Sequence, residues 1–410
     1  MMLRPLRLPT RARTAPLALL LGLLALLLAA PATALPRQTL MSGTPCSACH
    51  VNVQGGGMRT EIGWGSMAYS GALTWDQLGF NWLDQRMTNE VAPGWALGLD
   101  YRGQLARRGP PALVPGDNGQ LETVPASRDF FPMQVQPYLS GQLTDWLQVY
   151  GTWAGTPQTF EQPTFCSEDY PGQSCYEAQA IFRPGPTLPT VRVGQLQPSV
   201  GIRHDDHTML IRSIGGRTML PPQWAETGGE VTWQPRYWVQ VDGGVFGSRN
   251  LTRAVGDARV LAGDTPAYSG RVRFSPQVHA GPVEFTSWLG GSALGAGAFQ
   301  MYNGFVGLGA LNRVSWINEI AHLRYGNGAE RTGRNLGSTV SVRATDWLFG
   351  HVRYETAQQD TATRSGNTQA LVTGFEFFPV PYLELRPEYR YVRTPAFHTA
   401  QYTLQIHLFY

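Results

Sequence analysis

Cys46, Ser47, Ala48, Cys49 and His50 bring two thiols and an imidazole into five consecutive positions of a 410-residue sequence. Thiols three positions apart on one turn reach the two vinyl groups of a single porphyrin. The imidazole of the next residue then supplies the proximal axial ligand, which is the attachment spacing of a c-type haem. Three other readings use the same residues. A CxxC redox pair has no task for His50, a zinc site needs four ligands where no second close cluster stands, and a plain disulfide needs only the two thiols. No acid–base constellation adjoins the run, so no catalytic residue is assigned.

The second axial ligand of such a haem is open. Met67 and Met87 lie in the same N-terminal segment, and a thioether raises the potential; Met58 is too near His50 in sequence to fold over the opposite porphyrin face. His207 is a further distal candidate, because Arg203-His204-Asp205-Asp206-His207 falls in a long loop of the kind that folds into a barrel lumen. In that loop His204, Asp205 and Asp206 could instead form an external metal or relay site. The plain reading is a polar constriction loop with ordinary hydrogen-bonding histidines. His351 and His407 occupy expected lumen faces, where polar residues need no special account. Cys166 and Cys175, in a Pro/Gly/Ser-rich stretch, are expected to form a disulfide that closes a loop of an exported protein, with redox activity as the alternative.

Export itself is legible. Arg4, Arg7, Arg11 and Arg13 precede an almost wholly Leu/Ala run over residues 16–30, and Ala32-Thr33-Ala34 supplies a small-x-small cleavage site. Fifteen apolar residues fall short of the roughly 20 that a spanning helix needs. Residues 1–34 are therefore read as a signal peptide, residues 35–91 as a monohaem cytochrome c segment and residues 92–410 as an outer-membrane barrel. Taking 34 residues from 410 leaves 376, and taking the four arginines from 32 basic residues leaves 28 against 29 acidic ones. A nearly neutral chain with 15% charged residues excludes a basic nucleic-acid surface. Within 35–91, Gly55-Gly56-Gly57 offers a flexible approach to a porphyrin edge. Thr74 with Gln77 forms a capping box that opens a short helix to about Thr88, with Trp75, Leu78 and Trp82 on one face. About 40 residues can hardly bury a porphyrin unaided, so the rest of the chain must help enclose it.

From Gly94 onward the apolar pattern has period two. Tyr402, Leu404, Ile406, Leu408 and Tyr410 alternate with Thr403, Gln405 and His407; Leu383, Leu385, Tyr389 and Tyr391 alternate with Glu384, Arg386, Glu388 and Arg390. Apolar outside and charged inside is the arrangement of a membrane barrel with a polar lumen, the reverse of a soluble β-sandwich or jelly roll. About sixteen antiparallel strands are expected, near 94–105, 130–141, 146–154, 177–184, 189–197, 228–235, 237–247, 269–276, 279–289, 297–311, 313–324, 336–345, 347–357, 367–377, 381–393 and 400–410. Tight turns at Thr144-Asp145, Gln234-Pro235, Thr345-Asp346 and Pro379-Val380 alternate with long connections such as 106–129, 155–176, 199–227 and 248–268. Glu319 shares a face with Ile317, Ala321 and Leu323, which points to a bulge or a register shift.

With one CxxCH near the mature N-terminus, a porin-length barrel after it and an aromatic Tyr410 at the end, the chain resembles the fused monohaem cytochrome–porins, among them the outer-membrane cytochromes of iron-oxidising bacteria. The specific likeness covers about fifteen residues, from Cys46 to Arg59; the rest is architecture. The resemblance implies one covalent haem c, held on the periplasmic side or inside the lumen by a segment that plugs it. It also implies electron transfer across the outer membrane without naming the donor; the leading expectation is an extracellular donor such as Fe(II) and a periplasmic cytochrome or copper protein as acceptor. The competing expectation is a passive porin whose haem segment is structural or tethered in the periplasm.

Overall fold

The computed structural model describes residues 36–67, 70–80, 82, 89–108, 112–115, 121–124, 128–153, 174–185, 187–204, 206, 209–214, 218–219, 224–255, 265–280, 283–325, 331–358, 367–395 and 398–410. The expected signal peptide lies outside them, as do Met87, Cys166, Asp205 and His207.

Sixteen strands form the wall. They are β1 Trp95–Arg108, β2 Arg128–Thr144, β3 Leu147–Trp153, β4 Tyr176–Phe182, β5 Thr190–Leu196, β6 Glu226–Arg236, β7 Val239–Phe246 and β8 Ala267–Phe274. They continue with β9 Val283–Ala296, β10 Phe299–Ala310, β11 Val314–Tyr325, β12 Arg331–Thr345, β13 Leu348–Gln358, β14 Thr368–Val380, β15 Leu383–Arg393 and β16 His398–Phe409. Residues Gln277–Ala280 extend β8 along the same neighbour, β9. Each strand pairs antiparallel with the next, and β1 pairs with both β2 and β16, which closes the barrel. Closure leaves no open sheet edge in the hydrocarbon.

The period-two pattern sorts as the sequence requires. Val231, Trp233, Leu289, Trp316, Val352, Phe375, Tyr402 and Leu408 are exposed on the outer face, while Arg192, Glu230, Asp242, Arg271, Arg353, Glu376, Glu388 and His407 are buried inside. The ends of the barrel segment, at Trp95 and Phe409, lie at the rim of the tight turns, since Asp100 pairs with Phe409. By the general rule for such barrels that rim is periplasmic and the long connections face outward.

Several boundaries differ from expectation. The segment expected at 279–289 straddles the β8–β9 turn, and β9 runs to Ala296 before a tight turn at Gly297, whose φ is 55°. Gln234-Pro235 and Pro379-Val380 lie inside β6 and β14, with the turns a residue or two later. Glu319 sits in regular register between Phe305 and Gly337, without the expected bulge. Its face is the inner one, and Ile317, Ala321 and Leu323 are buried there because the lumen at that height holds protein rather than water. Thr74 and Gln77 make both capping-box hydrogen bonds, of 2.9 and 3.3 Å. The box closes only a turn, because Gly79 adopts a φ of 76° and interrupts the helix; Leu78 and Trp82 are exposed, and residues 83–88 lie outside the described set.

The N-terminal segment packs on the inward faces of the strands. Its helix α1, Pro36–Ser42, buries Leu40 completely beside Trp288 of β9 and Ile317 of β11. The approach to β10 is so close that a Cβ on Gly309 would stand 1.9 Å from the Leu40 carbonyl oxygen, so glycine is needed there. Arg37 forms a two-pronged ion pair with Glu376. Met41 and Met67 join Phe349, Phe378, Tyr382 and Phe409 in an apolar cluster near the tight-turn rim. A second apolar cluster near the long-loop rim joins Met209, Ile211 and Trp224 of the β5–β6 connection to Leu251 of a short helix, Arg249–Val255, and to Phe246, Leu294, Phe299 and Leu323 of the wall.

Candidate functional site

Inside the barrel lies a polar cavity lined jointly by the N-terminal segment and the wall. Cys46 and His50 line it, and the local fold accounts for their placement. Pro45, in extended backbone (φ −67°, ψ 150°), precedes the helical turn α2, Cys46–Cys49, and the His50 N–H closes on the Cys46 carbonyl at 2.9 Å. His50 then leaves the turn in extended backbone and forms an antiparallel bridge with Arg59. The hairpin between them is held by the Val51 N–H donating to the Met58 carbonyl at 3.0 Å. Gly55, Gly56 and Gly57 turn it, with φ of 87°, 71° and 65°, values that disfavour any other residue. The triplet is thus a shaped turn. It also leaves space, since a Cβ on Gly55 would lie 3.5 Å from that of Cys46.

Both thiols are reduced and buried. Burial, and then the neighbouring Cys46, pushes the Cys49 thiol up, while Arg59 offsets part of the rise. Reactive redox cysteines sit in the opposite kind of environment, which weighs against the CxxC redox-pair reading.

The strands supply the other walls: Asp100 and Arg102 from β1, Gln134, Gln136 and Tyr138 from β2, Glu177 from β4 and His407 from β16. Arg203 and His204 enter from the β5–β6 connection, which does fold into the lumen. Three arginines, Arg59, Arg102 and Arg203, therefore face two carboxylates, Asp100 and Glu177, around one cavity. Arg59 stands 3.9 Å from Asp100 and its guanidinium lies 4.4 Å over the Phe409 ring. Tyr138 donates to Asp100 at 2.7 Å. Arg203 Nη1 and Arg59 Nε are buried without a hydrogen-bond partner among the described residues.

The loop residues singled out in the sequence bond to different parts of the wall. His204 Nε2 lies 2.9 Å from Glu319, which also accepts from Asn303 at 2.8 Å and from the Ile202 N–H at 3.1 Å. Asp206 instead accepts from Arg353 at 2.7 Å and Arg390 at 3.1 Å, with Arg386 at 3.6 Å, so arginines already compensate its charge. Among the described residues no group of His, Cys, Asp and Glu is arranged to hold a metal ion. Met67 is packed in the lower apolar cluster, away from the cavity lining, and Met58 packs with Val51, Tyr138 and Tyr150. Cys175 is in a disulfide. His407, which the sequence left as ordinary lumen polarity, lines the same cavity as His50; only its inward register on β16 marked it beforehand.

No protein-family model matches the sequence, and no curated protein does. Among solved structures, the chain is similar to OprB of Pseudomonas putida, with 11% identity and a TM-score of 0.52 over 82% of this chain and 97% of that one. It also matches the outer membrane protein OpdK of Pseudomonas aeruginosa, with 12% identity and a TM-score of 0.45 over 77% of this chain and 98% of that one. An anion-selective porin of Comamonas acidovorans matches with 10% identity and a TM-score of 0.46, over 77% and 98%. At such identities the OprB match speaks for the fold alone. Fold and likeness together define the class: an outer-membrane, porin-like β-barrel.

Proposed function

We propose that this barrel is an outer-membrane electron carrier of the fused cytochrome–porin kind. Its N-terminal segment would bear one haem c on Cys46 and Cys49, with His50 as axial ligand, and plug the lumen. Electrons would pass from an extracellular donor such as Fe(II) to a periplasmic cytochrome or copper protein. The observation that carries this reading is the placement of Cys46, Cys49 and His50. Two free thiols and an imidazole follow one another at a single turn beside a polar cavity inside a membrane barrel. The residues present fit the group. Gly55 leaves room for one further carbon beside Cys46, and Arg203 Nη1 and Arg59 Nε, unpaired among the described residues, suit the two carboxylates of a porphyrin. When bound, the haem supplies reversible one-electron exchange. The protein's part is to anchor it, to balance its charge with Arg59, Arg102 and Arg203, and to keep water out with an apolar cluster on each side.

The likeness to OprB favours a second reading, a passive porin in which the same segment is structural. Two measurements on the purified full chain, produced with a working c-type maturation system, separate them. Electron transfer predicts α and β haem bands that develop within seconds of anaerobic Fe(II) addition, and little conductance in planar bilayers. Open pores whose conductance ignores haem redox state would establish the porin instead. Bands that appear only with dithionite would remove Fe(II) as donor.

A further inference from the structure

Resting on that haem reading, the geometry points to His407 as the second axial ligand, so that one imidazole comes from the N-terminal segment and the other from the barrel wall. His407 is 5% exposed, faces inward on β16 opposite Arg102 and Glu384, and lines the cavity that Cys46 and His50 line. Its two ring nitrogens are differentiated. Nδ1 lies 3.0 Å from Glu384 Oε2, whereas Nε2 makes no hydrogen bond to the described residues and stands 3.4 Å from Asp100 Oδ1, a carboxylate that lines the same cavity. A carboxylate on Nδ1 is the usual partner of a metal-ligating histidine, because it fixes the ring's orientation and turns the other nitrogen toward the metal.

A chain of contacts joins it to His50. His50 is bridged to Arg59, whose guanidinium lies on the Phe409 ring, and the Phe409 ring centroid is 4.9 Å from that of His407. Among the described residues the other candidates are engaged elsewhere, with His204 Nε2 tied to Glu319 and Met67 packed among Phe349, Phe378 and Tyr382; Met87 and His207 lie outside those residues.

The test uses the detergent-purified full chain after c-type maturation, with haem per chain counted by the pyridine haemochrome. The wild type is expected to be six-coordinate and low-spin in the ferric state, and slow to bind carbon monoxide when reduced. His407→Ala should keep its covalent haem yet become high-spin and bind carbon monoxide readily, and added imidazole should restore the low-spin spectrum. His407→Met should stay low-spin with a raised midpoint potential, and His204→Ala should remain six-coordinate. A low-spin His407→Ala protein, or a five-coordinate wild type, would overturn the assignment. Should His407→Ala fail to assemble, Glu384→Gln removes the charge behind Nδ1 and should raise the potential of a still low-spin haem; an unchanged potential would overturn the assignment by that route. A wild type that carries no haem at all would sink the haem reading together with this one, whereas a haem whose spectrum ignores His407 would sink this one alone.

Discussion

Arg192 and Glu230 face each other across β5 and β6, both side chains fully buried, and form an ion pair. Arg192 also donates to Asn52 at 3.2 Å, and Glu230 accepts from the Ser199 N–H and hydroxyl, both at 2.7 Å. One pair of wall residues thus fastens the N-terminal segment and the β5–β6 connection to the same spot. Removing one partner of a buried pair leaves an uncompensated charge, which costs about 3–5 kcal/mol. Arg192→Met should therefore lower resistance to urea by that order, and the double variant Arg192→Met/Glu230→Gln should recover part of it. Urea titration of the purified barrel, followed by tryptophan fluorescence, checks both. Such a pair is invisible in the sequence, because positions 192 and 230 are related only by strand register.

The short helix α3, Glu61–Gly65, decides how firmly the CxxCH turn is held. Thr60 caps it by accepting from the Gly63 N–H at 3.2 Å, while the Thr60 hydroxyl donates to the Ala48 carbonyl at 2.6 Å. Contact with α2 is so close that a Cβ on Gly63 would stand 2.0 Å from the Cys49 carbonyl oxygen. Gly63→Val must push α2 and α3 apart. On the proposed attachment of haem to this turn, covalent haem per chain should fall severalfold while the β-sheet circular dichroism stays at the wild-type level; full haem loading would show that the turn tolerates the displacement. The motif itself was readable at once, since its chemistry lies in five consecutive residues. The capping box at Thr74 was readable too, but its helix was not: the left-handed Gly79 ended what local pattern alone would have continued.

At the scale of the whole molecule, the outer face must match lipid. Val352 lies midway along β13 and is 51% exposed on that face. An arginine there, near the bilayer midplane, costs about 2–4 kcal/mol in a barrel of this kind. Val352→Arg should lower folding stability in lipid vesicles by that amount, whereas Val352→Leu should leave it unchanged. Equal stability of the two variants would mean that this face is not in hydrocarbon.

The sequence by itself determined the sixteen alternating segments, the sorting of apolar and charged faces and the CxxCH run, because each is a local pattern of spacing two or three. Only the tertiary structure decided what the lumen holds. Residues 36–67 and the β5–β6 connection meet strands far away in sequence, as Arg37 meets Glu376 and Asp206 meets Arg390. It also decided that Ile317, Ala321 and Leu323 face an apolar interior, which alternation alone assigns to neither side. And it brought His407 to the cavity of His50 across 357 residues of chain, counted from 407 less 50. Closure of the barrel sets that distance, and closure is a property of all sixteen strands together.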